Sequence, residues 1–81
     1  MSIVSAAATS ASTVASNSTR WITVPLPSNK TAIAVVGYYL AGGDFCTVYN
    51  INLSDSGAQF ALRNHYTSTQ NVTITAYYLC R

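Results

Sequence analysis

The chain has 81 residues, of which 7% are charged and 49% hydrophobic, with a formal net charge of +2. This length makes one domain, whose small core is marginal alone and calls for a disulfide, a metal or self-association. The four cations, Arg20, Lys30, Arg63 and Arg81, are scattered singly, which argues against nucleic-acid binding, and no run reaches the roughly 18 apolar residues of a membrane span.

Residues 1–18 are small and low in complexity. Ala favours a helix, but the interspersed Ser and Thr compete for its backbone hydrogen bonds. They read as a weak, two-part edge strand near Ile3–Thr9 and Ser12–Ala15, or as a linker-like segment, ahead of a domain over 19–81. With no basic start and no compact apolar core, no signal peptide is expected.

Arg20–Leu26 alternates, with Ile22, Val24 and Leu26 on one face and Trp21 and Thr23 on the other. Pro25 and Pro27 place its end on a sheet edge, and Ser28-Asn29-Lys30 reads as a turn. In Thr31–Leu40 both faces are apolar: Ile33, Val35 and Tyr39 on one, Ala32, Ala34, Val36, Tyr38 and Leu40 on the other. A two-layer sandwich needs only one face of a strand buried, so the second face calls for a partner, most simply another copy.

Ala41-Gly42-Gly43-Asp44 is a turn suited to positive φ. Phe45–Leu53 alternates again, with Phe45, Thr47, Tyr49, Ile51 and Leu53 on one face and Cys46, Val48, Asn50 and Asn52 on the other. After a turn at Ser54-Asp55-Ser56-Gly57, Ala58–Asn64 turns Phe60 and Leu62 inward and Arg63 away. A polar connection, His65–Gln70, leads to a last strand with Val72, Ile74, Ala76, Tyr78 and Cys80 on one face and Thr73, Thr75, Tyr77 and Leu79 on the other. Strands at this spacing predict an all-β fold: a small antiparallel β-sandwich, jelly-roll-like, of about six strands and without substantial helix. Val36, Tyr38, Leu40, Tyr77 and Leu79 are the expected contact between copies.

The chemistry-bearing residues are few. Asp44 and Asp55 are the only carboxylate side chains; a glycosidase pair is conceivable, but both read as turn formers. His65 is the only histidine, no nucleophile elbow or phosphate loop is present, and no cofactor or metal is called for. Cys46 and Cys80, too few for a disulfide scaffold or, with one His, a zinc site, read as packed free thiols. Asn-x-Ser/Thr triplets at Asn17, Asn29, Asn52 and Asn71 follow from the Ser/Thr content, with no glycosylation implied. The expectation is a protein that is not an enzyme.

Binding remains. An aromatic face that stacks on sugar C–H groups, beside neutral amides and hydroxyls, is the usual form of a saccharide site. Trp21, His65 and Tyr66, near a strand end or in a loop, are its candidates here, since loops on rigid β scaffolds carry function.

Thr31–Arg81 resembles the tip of a tailed-phage tail fibre or receptor-binding protein. The likeness lies in Ala32-Ile33-Ala34-Val35-Val36-Gly37-Tyr38 before a Gly turn, an alternating Tyr-bearing strand, Ala61-Leu62-Arg63-Asn64, a Ser/Thr-rich connection and Val72-Thr73-Ile74-Thr75-Ala76-Tyr77-Tyr78-Leu79. The resemblance implies a homotrimeric, non-enzymatic virion protein that binds host cell-surface polysaccharide, although fibre proteins are usually much longer. Other readings are a purely structural trimerisation or folding cap, a free lectin-like module and a small capsid decoration protein.

Overall fold

The computed structural model describes residues 4–26 and 30–81. Six strands follow one another: β1 (Val4–Val14), β2 (Thr19–Pro25), β3 (Ala32–Ala41), β4 (Cys46–Ser54), β5 (Gly57–Asn64) and β6 (Gln70–Cys80). They form two antiparallel three-stranded sheets, ordered β1-β6-β3 and β2-β5-β4. Among the described residues there is no helix. The molecule is an all-β sandwich, 47 × 18 × 17 Å, elongated along its strands. Each connection except the β4–β5 hairpin crosses from one sheet to the other, which winds the chain in the manner of a jelly roll with fewer strands. Ile3 and the turn expected at Ser28-Asn29 lie outside the described residues.

β1 is one continuous strand, paired with β6 from Val4↔Cys80 to Val14↔Gln70. The alternation read in β2, β5 and β6 is the alternation that packs. Ile22, Val24, Phe60, Leu62, Val72, Ile74, Ala76, Tyr78 and Cys80 all face the intersheet space and are buried, each large aliphatic or aromatic one contributing roughly 1.5–3 kcal/mol of transfer free energy. Tyr78 also carries a hydroxyl into this space. The hydroxyl accepts a hydrogen bond from the Ala58 amide at 2.8 Å and donates one to the Val24 carbonyl. Val24 and Ala58 face each other across β2 and β5, so a phenol rooted in one sheet is threaded between two strands of the other. Burial raises the pKa of this phenol; the Ala58 hydrogen bond opposes the rise in part, and Cys80 adds a small electrostatic increase.

Two strands depart from simple alternation. In β3 the register with β6 shifts between Ala32 and Ala34 and again between Val35 and Gly37. Ile33 and Val36 are the extra residues of two bulges. Val35, Tyr38 and Leu40 therefore all lie opposite inward-facing residues of β6, namely Tyr78, Ala76 and Ile74, where alternation put Val35 on the opposite face from Tyr38 and Leu40. In β4 the shift between Val48 and Asn50 makes Tyr49 the extra residue. Cys46 and Val48 face inward before it and Ile51 and Leu53 after it, while Thr47, Asn50 and Asn52 face out. This corrects the sequence reading, which placed Thr47 with Ile51 and Leu53, and Cys46 with the two asparagines.

The sandwich is closed on one side only. β1 and β2 run in close contact, whereas β3 and β4, at the opposite edges of the two sheets, do not. Inward residues on that side keep substantial exposure: Tyr38 44%, Ile51 37% and Leu53 40%. The Tyr38 ring meets Phe60 edge-on at 5.5 Å, so one edge belongs to the core and the rest faces solvent. Of the residues expected at a contact between copies, Tyr38 and Leu40 thus point into this open side. Tyr77 is exposed on the outer face of the β1-β6-β3 sheet, with half-buried Leu79 beside it, and Val36 is exposed at a bulge. The five do not form one flat face.

Candidate functional site

The outer face of the β2-β5-β4 sheet is fixed by register. Three successive rows cross it: Thr19, Arg63 and Thr47; Trp21, Ala61 and Asn50; Thr23, Gln59 and Asn52. Every one of these residues is exposed except Ala61. Ala61 points outward and is nevertheless 0% accessible, while its neighbour Trp21 is 46% exposed. A small outward residue is sealed in this way when the side chains across from it lie over it. The indole and the Asn50 side chain flank Ala61 on its two sides.

His65 continues the outward side of β5 past the strand end. Its Nε2 lies 2.9 Å from the Thr47 hydroxyl, and its amide donates to the Phe45 carbonyl at 2.9 Å. Tyr66 does not join Trp21 and His65. The chain leaves β5 after Asn64, and the Tyr66 ring stacks on Phe45 at 4.1 Å, nearly parallel, at the end of the molecule. Of the three candidates, then, Trp21 and His65 share the sheet face and Tyr66 belongs to the loops.

Those loops are Ala15–Ser18, Gly42–Phe45 and His65–Thr69, all at the end of the sandwich opposite the Val4↔Cys80 pair. Asn64 ties them together. It is fully buried, and its Nδ2 lies within hydrogen-bond reach of the carbonyls of Val14, Ala15 and Ser68, at 3.1, 3.2 and 2.9 Å. Its Oδ1 accepts from the Tyr66 amide at 2.9 Å, and its own amide donates to the Ser18 carbonyl at 2.9 Å. The Asn17 amide completes the set by donating to the Tyr66 carbonyl, with Asn17 in the left-handed region at φ 51° that Asn tolerates. Asn64 stands two residues beyond Leu62 on the inward parity of β5, which is the signal that could have marked it as buried. Gln59 and Asn50 were missed for a different reason: only cross-strand register brings them to the face that holds Trp21, and Phe45 reaches Tyr66 only because their two loops meet at one end of the sandwich.

Asp44 lies in the loop end and Asp55 in the β4–β5 turn at the other end. The nine residues of β4 separate them, about 30 Å at the rise of a strand, far beyond the separation at which two carboxyl groups act on one glycosidic bond. Cys46 and Cys80 are free and buried, also at opposite ends of the sandwich, and burial raises the pKa of the Cys46 thiol. Among the described residues no group of three His, Cys, Asp or Glu is placed to hold a metal ion. A concavity of about 160 Å³ lies at the end opposite the loops and is lined by Leu26, Lys30, Thr31, Ala32, Ser54 and Asp55. No protein-family model, characterised protein or solved structure matches the chain.

Proposed function

We propose that this chain is a non-enzymatic receptor-binding head of the tail-fibre type, which assembles as a homotrimer, sits in a virion and binds host cell-surface glycan. One observation carries the reading: where the apolar surface lies. Ile33, Val36, Tyr38, Tyr39, Ile51 and Leu53 are all exposed on β3 and β4, the two edge strands on the side where the sandwich is open. A monomer would leave these apolar side chains exposed, on both faces, along two unpaired strand edges, a hazard that soluble proteins blunt with charge, and neither strand carries a charged residue. Copies packed through this side would bury it and supply stability that a chain of this size otherwise lacks.

The opposite side and the loops remain free for a ligand, and Trp21, His65 and Tyr66 lie there. Native mass spectrometry and light scattering test the assembly: three copies are expected, and Tyr39→Lys combined with Ile51→Lys should give monomers. A stable wild-type monomer at micromolar concentration refutes the assembly. Binding of purified protein to a glycan array tests the ligand. A trimer that binds no glycan points to a structural fibre cap instead, and a monomer that binds glycan points to a free lectin-like module.

A further inference from the structure

We infer that the outer face of the β2-β5-β4 sheet is a saccharide platform for an uncharged oligosaccharide, centred on Trp21 and read by Asn50, Asn52 and Gln59. This deepens the glycan-binding reading above and rests on it. It moves the site from the loops, where Tyr66 stands, to the sheet.

The first argument is composition. A strand face that needs only solvation is ordinarily furnished with Lys, Glu and Asp. This one carries three primary amides, three threonine hydroxyls, one indole and a single charge, Arg63. Each primary amide both donates and accepts, as does each sugar hydroxyl, so amides can pair with neighbouring hydroxyls of a sugar ring. A carboxylate would only accept, and an ammonium would only donate.

The second argument is geometry. Same-face rows repeat about every 6.7 Å along a strand, and neighbouring strands lie about 4.8 Å apart. The three rows therefore span about 13 by 10 Å, room for a short run of sugar rings and too extended for one small anion. Trp21 stands at the middle row. It lies directly across from the sealed Ala61 and is itself 46% exposed, so the indole can offer a flat apolar surface to the C–H face of a ring. Thr23, Gln59 and Asn52 follow in one row on its one side, and Arg63 with the two outer threonines on the other.

The third argument is position. These strands hold the site on sheet backbone rather than on loops, which favours a preformed surface with little ordering cost on binding. Asn50 and Asn52 turn outward from β4 while Ile51 and Leu53 of the same strand turn inward, and Trp21 stands on β2 at the far edge of the sheet, so copies that meet through the open side can leave this outer face to a ligand.

A glycan array of neutral hexose oligomers beside sialylated and phosphorylated glycans, probed with wild type, Trp21→Ala, Asn50→Ala/Gln59→Ala and Tyr66→Ala, tests this. The expected result is binding to neutral oligomers that falls about tenfold or more in Trp21→Ala, falls several-fold in Asn50→Ala/Gln59→Ala, and persists in Tyr66→Ala, with circular dichroism and assembly state unchanged. Neutral binding lost only in Tyr66→Ala overturns the platform and leaves the head reading standing. Preference for sialylated or phosphorylated glycans, abolished by Arg63→Gln, overturns the uncharged ligand. Absence of wild-type binding to every glycan overturns the head's glycan function and the platform with it.

Discussion

Removing the Tyr78 hydroxyl should be among the most damaging single-atom changes available in this chain. Tyr78→Phe keeps the ring in the core and deletes one oxygen that serves two fully buried backbone groups, the Ala58 amide and the Val24 carbonyl. A buried donor or acceptor left without a partner costs about 1–3 kcal/mol. Allowing β2 and β5 to close part of the gap and restore a direct bond, the loss should be about 2–4 kcal/mol, out of a total of about 4–12 kcal/mol for a chain of this length. In urea, where small domains have slopes near 1 kcal/mol per molar, the midpoint should fall by about 2 M or more. Unfolding is followed at matched chain concentration, because self-association shifts apparent stability.

The same pair of proteins carries a pH test. The folded-state pKa of Tyr78 is raised by burial above its ordinary value of 10.0, so the unfolded chain releases this proton first. The stabilisation is therefore complete below pH 10.0 and is lost as pH rises from there through the folded value. Tyr78→Phe lacks that loss, so the gap between the two proteins should narrow in alkali. A neutral-pH difference under about 0.5 kcal/mol, or two curves that stay parallel above pH 10.0, would refute the account of this phenol.

Four further outcomes follow from the geometry. Asn64→Asp replaces a donor that faces three carbonyls with an oxygen that repels them; it should cost about 2 kcal/mol or more, and hydrogen exchange should show the Asn17 and Tyr66 amides losing protection. Gly57→Ala should destabilise by more than about 1 kcal/mol, since Gly57 has φ 135° and a Cβ there collides with the Val24 carbonyl. Gly37→Ala should be neutral or slightly stabilising, because its Cβ would sit 3.9 Å from the Tyr77 ring; thermal melts of both compare them directly. Finally, a thiol reagent should label Cys46 and Cys80 slowly in the native protein and fully in denaturant, with no intrachain disulfide under mild oxidation, given their burial at opposite ends.

How much of this was legible in the sequence differs strand by strand. β5 and β6 are central in their sheets, and their side chains alternate without interruption, so period-two reading assigned their faces directly. β3 and β4 are edges with bulges at Ile33, Val36 and Tyr49. A bulge is a mismatch between a strand and its partner, and neither sequence alone records it. Alternation therefore carried Val35 to the wrong face of β3, and on β4 it joined Thr47 to Ile51 and Leu53 and joined Cys46 and Val48 to the two asparagines, across a bulge that changes the face. The apolar residues on both faces of Thr31–Leu40 did signal an unusual strand. The structure gives two reasons for the pattern: two changes of face along β3, and an open side beside it.

The candidate site shows the same division. Trp21 and His65 were named from residue type, yet what makes a surface of them is the pairing of β2 with β5 and of β5 with β4. That pairing also recruits Asn50, Asn52 and Gln59, which are unremarkable in the linear chain. Tyr66, adjacent to His65 in sequence, is turned to the loop end because β5 stops at Asn64.

The place of β6 has a consequence for how the protein is made. It is the middle strand of its sheet and follows every other strand in the chain. Until it emerges from the ribosome, β1 and β3 have no strand between them, and Val4 waits for Cys80. β2, β4 and β5 all precede it, so one sheet can begin to assemble before the other. Closing contacts across nearly the whole chain is slow, and in that interval the apolar faces of β3 and β5 are uncovered. A chain cut short before β6 would lose the centre of a sheet rather than its rim, and would expose two strands poised to pair with those of other chains.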